Sequence, residues 1–253
     1  IGLMMYGARL GLWPFIRWTV KRGQDAYQKL KYAPFPVVGA PSGMALGGGC
    51  EILLHCDALE AHAESYIGLV EAGVGIVPGW GGCKELLGRW TANKKRPGGP
   101  MPPVMKAFET IAMAAVATSA MEARDHMFLR DGDNVVMNRD RVLNSAKARV
   151  LEMAKDYTPP EPYALNLPGP TGRTALQLGV RDFVAKGIAS AHDATVGTEL
   201  AHVLSGGDTD MLDTVSEDQI LKLERDGLLK LARTPQTRAR VEHMLKTGKP
   251  LRN

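Results

Sequence analysis

Three consecutive glycines constrain the fold of this chain more than any other feature. They occupy positions 47–49 of the segment GMALGGGCE, directly before residues 50–56, which we predict to form a short helix. Glycine permits positive φ angles and close backbone approach, and a helix start offers free N–H groups and the positive end of its dipole. Such a turn can hold developing negative charge, or it can serve tight packing alone. The pattern leaves both functions open.

The segments around these glycines alternate between strand and helix patterns. PFPVVGAP predicts a short buried strand around Val37 and Val38, and two strand-like runs follow around Leu59 and residues 66–69. Upstream, helical spacing with a break near Pro14 predicts two helices over residues 3–33. The order strand, glycine turn, helix, strand is typical of an α/β fold.

The second half of the chain is predicted to be mostly helical. Residues 91–103 are rich in Pro and Gly and predict an exposed loop, whereas NVVM at 134–137 predicts a strand before a helix over 140–154. Beyond Arg173 the spacing predicts helices alone. The last two begin at Ser216, with Gln219 completing its cap, and at Thr234 with Pro235.

Composition excludes several classes of protein. With 253 residues, 45% hydrophobic and 23% charged, the chain is neither disordered nor fibrous and can bury a sizeable core. Its net charge of +4, without a long basic block, is weak evidence for nucleic-acid binding and fits a phosphorylated small molecule equally well. The apolar opening of the chain is interrupted by Arg9, Pro14 and Arg17, so we interpret it as buried core rather than a membrane segment.

The cysteines and histidines predict neither disulfides nor a metal site. Three cysteines without a C-x-x-C pair favour a reducing, cytoplasmic compartment, and six scattered histidines lack metal-ligand spacing. Cys50 stands at the start of the predicted helix, where a thiolate would be favoured, but a packed small side chain is the preferred interpretation.

Two glutamates are the candidate catalytic groups. Glu71 follows an apolar strand-like run and precedes another glycine-rich loop, so a solvated position for it is hard to arrange. A buried carboxyl tends to have a raised pKa, which suits an acid or base near neutral pH. Glu51, beside the first glycine loop, could share proton transfers with it, whereas surface solvation is the alternative for each residue.

The block that contains these residues resembles the signature of a known superfamily. PVVGAPSGMALGGGCEILLHCDALEAHAESYIGLVEAGVGIVPGWGGCKEL is similar, almost position by position, to the crotonase (enoyl-CoA hydratase/isomerase) superfamily. The resemblance implies an α/β, crotonase-like spiral, with residues 1–157 as the C-terminal part of its core and residues 158–253 as a helical C-terminal region. It also implies that Gly48 is an oxyanion-hole glycine, that Glu51 and Glu71 are the two hydratase acids, and that the backbone of Gly79 helps to hold the catalytic water.

The end of the chain carries a second resemblance. Residues 216–253 look like the C-terminal end of bacterial β-oxidation proteins that join a 3-hydroxyacyl-CoA dehydrogenase domain to a crotonase domain. The chain is then expected to be a C-terminal fragment, N-terminally truncated, with a second oxyanion donor upstream of Ile1. It lacks a dinucleotide fingerprint, so NAD is expected only for the dehydrogenase domain.

These resemblances imply the hydratase portion of such a multifunctional protein, which hydrates 2-enoyl-CoA to 3-hydroxyacyl-CoA. No cofactor is expected in this chain beyond the acyl-CoA substrate, and the expected protein partners are the upstream dehydrogenase domain and further copies of the chain. Isomerases and some other branches of the superfamily often keep only one of these acids. The presence of both acids in this chain therefore favours water addition. The alternatives are an enoyl-CoA isomerase and a non-catalytic assembly module.

Overall fold

The computed structural model describes the backbone of residues 2–95 and 97–253 and leaves out the side chains of residues 3–5. Two short 3₁₀ turns, Glu71–Val74 and Arg139–Arg141, accompany its helices and strands. The elements follow the chain in this order: α1 (Gly2–Arg9), α2 (Trp13–Lys31), β1 (Val38–Gly39), β2 (Met44–Leu46), α3 (Gly48–Leu54), β3 (Ala58–His62), β4 (Tyr66–Gly68), α4 (Gly82–Ala92), α5 (Met101–Ala112), β5 (Val116–Ala117), α6 (Ala120–Asp125), β6 (Asn134–Val136), α7 (Val142–Met153), β7 (Ala164–Asn166), α8 (Gly169–Ala185), α9 (Ala191–Leu204), β8 (Thr214–Ser216), α10 (Glu217–Ala232) and α11 (Pro235–Thr247).

Two small sheets place the glycine turn between strand and helix. Strands β1, β3 and β6 form a parallel sheet in that order, with Val38 opposite Ala58 and Glu60 opposite Asn134. In the other sheet β2 pairs in parallel with β4, and β4 pairs in antiparallel with β5. The chain therefore leaves β2 through Gly47 directly into α3, while β4 runs alongside β2 and ends before Glu71.

The core joins the sheets to the later helices. Along α4 every residue from Gly82 to Arg89 is buried, and α4 packs against α3, α5, α9 and α10. In turn α10 packs against α2, α4 and α9. The helices that follow residue 158 are thus in contact with the elements that carry the glycine turn.

The prediction of helices alone beyond Arg173 is wrong in one place. Strand β8 pairs in antiparallel with β7, with Leu165 opposite Val215. Both strands have three residues, and only the middle one is buried. A strand this short has too few residues to give the alternating pattern that identifies strands in a sequence.

The interpretation of the opening apolar segment as buried core is also wrong in part. Helix α2 buries one stripe, which includes Ile16 and Val20, while Phe15 and Trp18 on its other face are 47% and 55% exposed. An amphipathic helix covers its neighbours with one face only, and residues outside that stripe stay in solvent whatever their hydropathy. Across the described residues, none of the helices has the length and apolar character needed to traverse a bilayer.

Candidate active site

Glu51 lies in the first turn of α3 and is buried at 3% exposure. Its Oε1 accepts hydrogen bonds from the backbone N–H groups of Trp80, at 2.8 Å, and Gly82, at 3.0 Å. Both donors belong to the glycine-rich turn that leads into α4. The second carboxylate oxygen takes no part in these two bonds.

Burial dominates the electrostatics of Glu51. Removal from water raises its pKa to about 7, although the N–H groups of Trp80, Gly82 and Gly79 stabilise the charged form and act in the opposite direction. A carboxyl that titrates near neutral pH can accept a proton and release it again under ordinary conditions.

Glu71 begins the 3₁₀ turn after β4, and its carboxyl lies against the backbone of Gly47. A Cβ built on Gly47 would approach Glu71 Oε1 to 3.3 Å. Its Oε2 is buried and has no hydrogen-bond partner among the described residues. Burial first, then the charges of Glu51 and Glu224, raise the pKa of Glu71 well above its ordinary value. Glu71 therefore holds its proton more tightly than an exposed glutamate.

The glycine turn places the backbone N–H of Gly48 at the start of α3. Gly47 has a φ of +56° and gives its own N–H to the carbonyl of Gly68 at 2.9 Å. Gly48 is the first residue of α3, and the N–H groups of a first helical turn have no acceptor within the helix. A side chain at Gly48 would meet the Trp80 ring at 3.2 Å, so the approach to its backbone is narrow.

Gly79 precedes the two residues that hold Glu51. Its carbonyl accepts a hydrogen bond from the buried Gln24 side chain at 2.9 Å, and a Cβ at this position would lie 2.3 Å from Leu228 Cδ1. The structure therefore brings all four predicted site residues to one region: Gly48 and Glu51 on α3, Glu71 after β4, and Gly79 before α4.

A third carboxyl at this place was missed by the sequence reasoning. Glu224 of α10 is fully buried and accepts the N–H groups of Gly81 and Lys84, each at 2.8 Å. Burial, followed by the charge of Glu51, raises its pKa to about 8. Its burial could have been inferred from its position in the helix. Glu224 falls on the same helical face as Leu221 and Leu228, which are both buried.

Cys50 is a packed side chain, as preferred from the sequence. Its thiol is fully buried, and burial together with the charge of Glu71 raises its pKa well above the ordinary value. Within the described part of the chain, no group of three or more His, Cys, Asp and Glu side chains is placed to hold a metal ion.

A buried ionic cluster lies beyond the C-terminal end of α3. Lys31 Nζ is 2.8 Å from carboxylate oxygens of both Glu85 and Glu217, and Lys84 Nζ contacts the same two acids. The largest effect on Glu85 is burial, which raises its pKa, but the neighbouring cations outweigh it and hold that pKa well below the usual range. A cavity of about 580 Å³ borders Lys31 and Glu85, and none of the four predicted site residues lines it.

The chain is similar to several known proteins. Residues 17–94 match the model of the enoyl-CoA hydratase/isomerase family. The chain is 41% identical over 239 residues to a Bacillus subtilis protein named "Probable 3-hydroxyacyl-CoA dehydrogenase", a match over 94% of this chain and 30% of that one. Over 69 residues it is 45% identical to the fatty acid oxidation complex subunit alpha of Idiomarina loihiensis, which covers 27% of this chain and 10% of that one.

The fold is that of solved crotonases. The crystal structure of enoyl-CoA hydratase from Bacillus halodurans superposes with a TM-score of 0.55 at 15% identity, covering 94% of this chain and 72% of that one. At this identity the likeness establishes the fold, which is the crotonase-like α/β fold expected from the signature block. The chain spans less than a third of the length of the two curated relatives above.

Proposed function

The chain belongs to the crotonase superfamily, and from this premise we propose that it adds water to 2-enoyl-CoA thioesters to give 3-hydroxyacyl-CoA thioesters in fatty-acid β-oxidation. One observation carries the proposal. Two buried carboxyls, Glu51 and Glu71, flank the Gly47–Gly48 turn, and burial raises the pKa of both. Addition of water across a double bond needs one group that accepts a proton and one that supplies a proton.

The N–H of Gly48 is proposed to stabilise the thioester oxygen. Polarisation of the carbonyl toward that oxygen makes C3 of the enoyl group electrophilic. Once water has added to C3, the enolate that carries the negative charge is basic at C2. A donor at a helix start, aimed at the developing charge, stabilises this enolate-like state. The narrow space between Gly48 and the Trp80 ring limits which part of a substrate can reach this N–H.

Glu51 is proposed to accept a proton from water. With its pKa raised to about 7, a large share of Glu51 is ionised at neutral pH. As the water oxygen forms its bond to C3, one water O–H bond breaks and the proton passes to the carboxylate. The N–H groups of Trp80 and Gly82 hold Oε1, so the other oxygen is the one that can face the water. The backbone of Gly79, next to this carboxylate, is proposed to help position the same water.

Glu71 is proposed to supply the proton to C2. Burial raises the pKa of Glu71 and the Glu51 charge raises it again, so ionisation of Glu51 favours the protonated form of Glu71. Its Oε2, which has no partner among the described residues, is free to donate. Glu51 gains one proton from water and Glu71 loses one proton to C2, so the protons balance. Proton exchange between the two carboxyls or with solvent then restores an ionised Glu51 and a protonated Glu71.

The wider reaction sequence is also a proposal. The product of hydration, a 3-hydroxyacyl-CoA, has the secondary alcohol that a 3-hydroxyacyl-CoA dehydrogenase oxidises, and the Bacillus subtilis relative carries that name. We therefore propose that this chain acts together with such a dehydrogenase domain. It needs no cofactor of its own for hydration, while the dehydrogenase step would use NAD.

Isotope-labelled water tests the reaction type. In H₂¹⁸O the chain is expected to convert crotonyl-CoA to 3-hydroxybutyryl-CoA that carries ¹⁸O, detected by mass spectrometry. Conversion of a 3-enoyl-CoA to a 2-enoyl-CoA without incorporation of ¹⁸O would support the isomerase alternative. No turnover, with a flat acyl-CoA titration and a discrete oligomer, would support the assembly module.

A further inference from the structure

Two carboxylates hold the turn between Gly79 and α4. Trp80 and Gly82 give their N–H groups to Glu51, whereas Gly81 and Lys84 give theirs to Glu224. Donors to the two acids therefore interleave along five residues. Both carboxylates therefore constrain the path of the same turn.

The turn itself has little freedom to adopt another path. Gly81 has a φ of +103°, and a Cβ there would lie 2.7 Å from the ring of His55. A side chain is therefore excluded at this position by both backbone strain and space. The remaining means of moving the turn is to alter one of the groups that bind its N–H donors.

Glu224 binds this turn with both of its oxygens. Gly81 N–H donates to Oε2 and Lys84 N–H donates to Oε1, each at 2.8 Å. A carboxylate can accept at both oxygens, whereas a protonated carboxyl or an amide presents a donor at one of them. With a pKa of about 8, Glu224 reaches this anionic form as pH rises, and the interaction has its full strength above about pH 8, since hydrogen bonds to a charged group are stronger than neutral ones.

A wholly buried carboxylate is a costly way to secure a helix junction, because removal of a charge from water is unfavourable and an apolar residue of similar volume would avoid that cost. The Lys84 side chain, the nearest cation on α4, is engaged with Glu85 and Glu217 instead. The charged and titratable groups that face Glu224 are therefore Glu51, Glu71, Cys83 and Lys84. Two of these are the proposed catalytic acids.

We propose that Glu224 is a positioning residue for hydration: it fixes the Gly79–Lys84 turn, and through the N–H groups of Trp80 and Gly82 it orients the Glu51 carboxylate. This inference rests on the proposed function and assigns part of the reaction to α10, far along the chain from the signature block. Glu224 also faces Glu71, so once Glu224 is ionised on the alkaline side its negative charge favours the protonated form of the proposed acid.

The test compares Glu224→Gln and Glu224→Asp with a matched control, Glu199→Gln. Glu199 is a buried glutamate of α9 whose carboxylate pairs with Lys230, so its variant makes the same substitution at another buried position. Hydration of crotonyl-CoA is measured from pH 6 to pH 10 for each variant, with kcat and KM determined separately. Carboxyl titrations followed by ¹³C NMR on glutamate-labelled chain give a second readout that needs no turnover.

Glu224→Gln is expected to lower kcat by about tenfold or more with KM within about twofold, because misplacement of a catalytic group affects the chemical step. The alkaline limb of its pH–rate profile, where activity falls as Glu71 loses its proton, is expected to move to lower pH. The reason is that Glu71 loses a neighbouring negative charge. Glu224→Asp should keep the wild-type position of that limb and recover part of kcat. Glu199→Gln should resemble wild type in both respects.

Wild-type kcat and an unmoved alkaline limb in Glu224→Gln would overturn the inference, as would a loss of rate matched by Glu199→Gln. If the wild-type chain shows no hydration at all, the proposed function fails. The NMR titration then still decides whether Glu224 acts on the acids, because the Glu71 carboxyl should titrate at lower pH in Glu224→Gln than in wild type, and equal titrations would refute it.

Discussion

At Glu51 a single oxygen accepts both N–H donors of the turn. Glutamine offers the same acceptor, so Glu51→Gln removes the charge while it preserves both hydrogen bonds. The pKa of the wild-type carboxyl is about 7 in the folded chain against 4.5 for an ordinary glutamate. The folded state therefore binds more protons than the unfolded state between these two values, and the free energy of unfolding falls as pH rises through this range.

Glu51→Gln is accordingly expected to be more stable than wild type above pH 7 and about equally stable below pH 4.5. A shift of this size corresponds to about 3 kcal/mol at roughly 1.4 kcal/mol per pKa unit. Urea unfolding of both proteins at several pH values measures the difference. A difference that stays constant from pH 5 to pH 8 would show that burial does not perturb this carboxyl.

Gly48 and Gly49 form a matched pair for the oxyanion proposal. A Cβ on Gly48 would lie 3.2 Å from the Trp80 ring, whereas a Cβ on Gly49 meets nothing within 4 Å. Gly48→Ala is expected to lower kcat for crotonyl-CoA hydration by about 10-fold to 100-fold, since it displaces a backbone donor. Gly49→Ala should keep the wild-type rate and gain some stability, because alanine favours the helix. Equal rates in the two variants would contradict a role for Gly48.

The sequence pointed to Glu51 and Glu71, whose catalytic role stays a prediction, but not to Glu224. Glu71 stood out because its neighbours are apolar or glycine, and the structure places it beside Gly47. Glu224 lies among charged residues on a helix whose amphipathic pattern resembles any surface helix. Its burial depends on contacts between α10 and α4 that join residues more than a hundred positions apart, and local sequence does not specify such contacts.

At the scale of elements, helix boundaries were the most predictable features. The capping pattern of Ser216 with Gln219 is present as a reciprocal capping box, and Gly248 ends α11 in a left-handed conformation. The break between α1 and α2 falls before Pro14, as predicted. Strands β2 and β5 were not predicted: β2 lies within the glycine-rich segment and β5 has only two residues, and each is recognised through its pairing with β4.

The Ser216 cap gives a prediction for α10. Its hydroxyl accepts the N–H of Gln219, so Ser216→Ala leaves one donor of the first turn without this partner. We expect a loss of about 1 kcal/mol in the free energy of unfolding, seen as a lower urea midpoint with an unchanged m-value. Wild-type kcat should be retained, since Glu224 lies two turns further along the helix. An unchanged midpoint would contradict the capping assignment.

At the scale of the whole molecule, buried ion pairs join the first helices to the last. Lys31 of α2 contacts Glu85 of α4 and Glu217 at the start of α10. Neither acid could be paired with Lys31 from the sequence, because the three residues are separated by long stretches of chain. The division into residues 1–157 and a helical region over 158–253 stays a prediction, whereas these contacts join elements from both parts of the chain.

Lys31→Met tests this connection. Removal of one partner leaves two buried carboxylates with Lys84 alone, and we expect a loss of about 3 kcal/mol or more in the free energy of unfolding. Lys21→Met is the matched control, since Lys21 forms an exposed pair with Asp25 in the same helix and should change stability by less than about 1 kcal/mol. Equal losses in the two variants would contradict an interior role for the Lys31 cluster.

The central claim is that two buried glutamates add water to an enoyl thioester, and one absorbance measurement tests it most directly. Loss of the conjugated enoyl absorbance of crotonyl-CoA is followed with the wild-type chain, Glu51→Gln, Glu71→Gln and the double variant. We predict turnover by wild type, large losses in each single variant, and little further loss in the double variant, because the two acids act as a unit. Wild-type rates in either single variant would contradict the account.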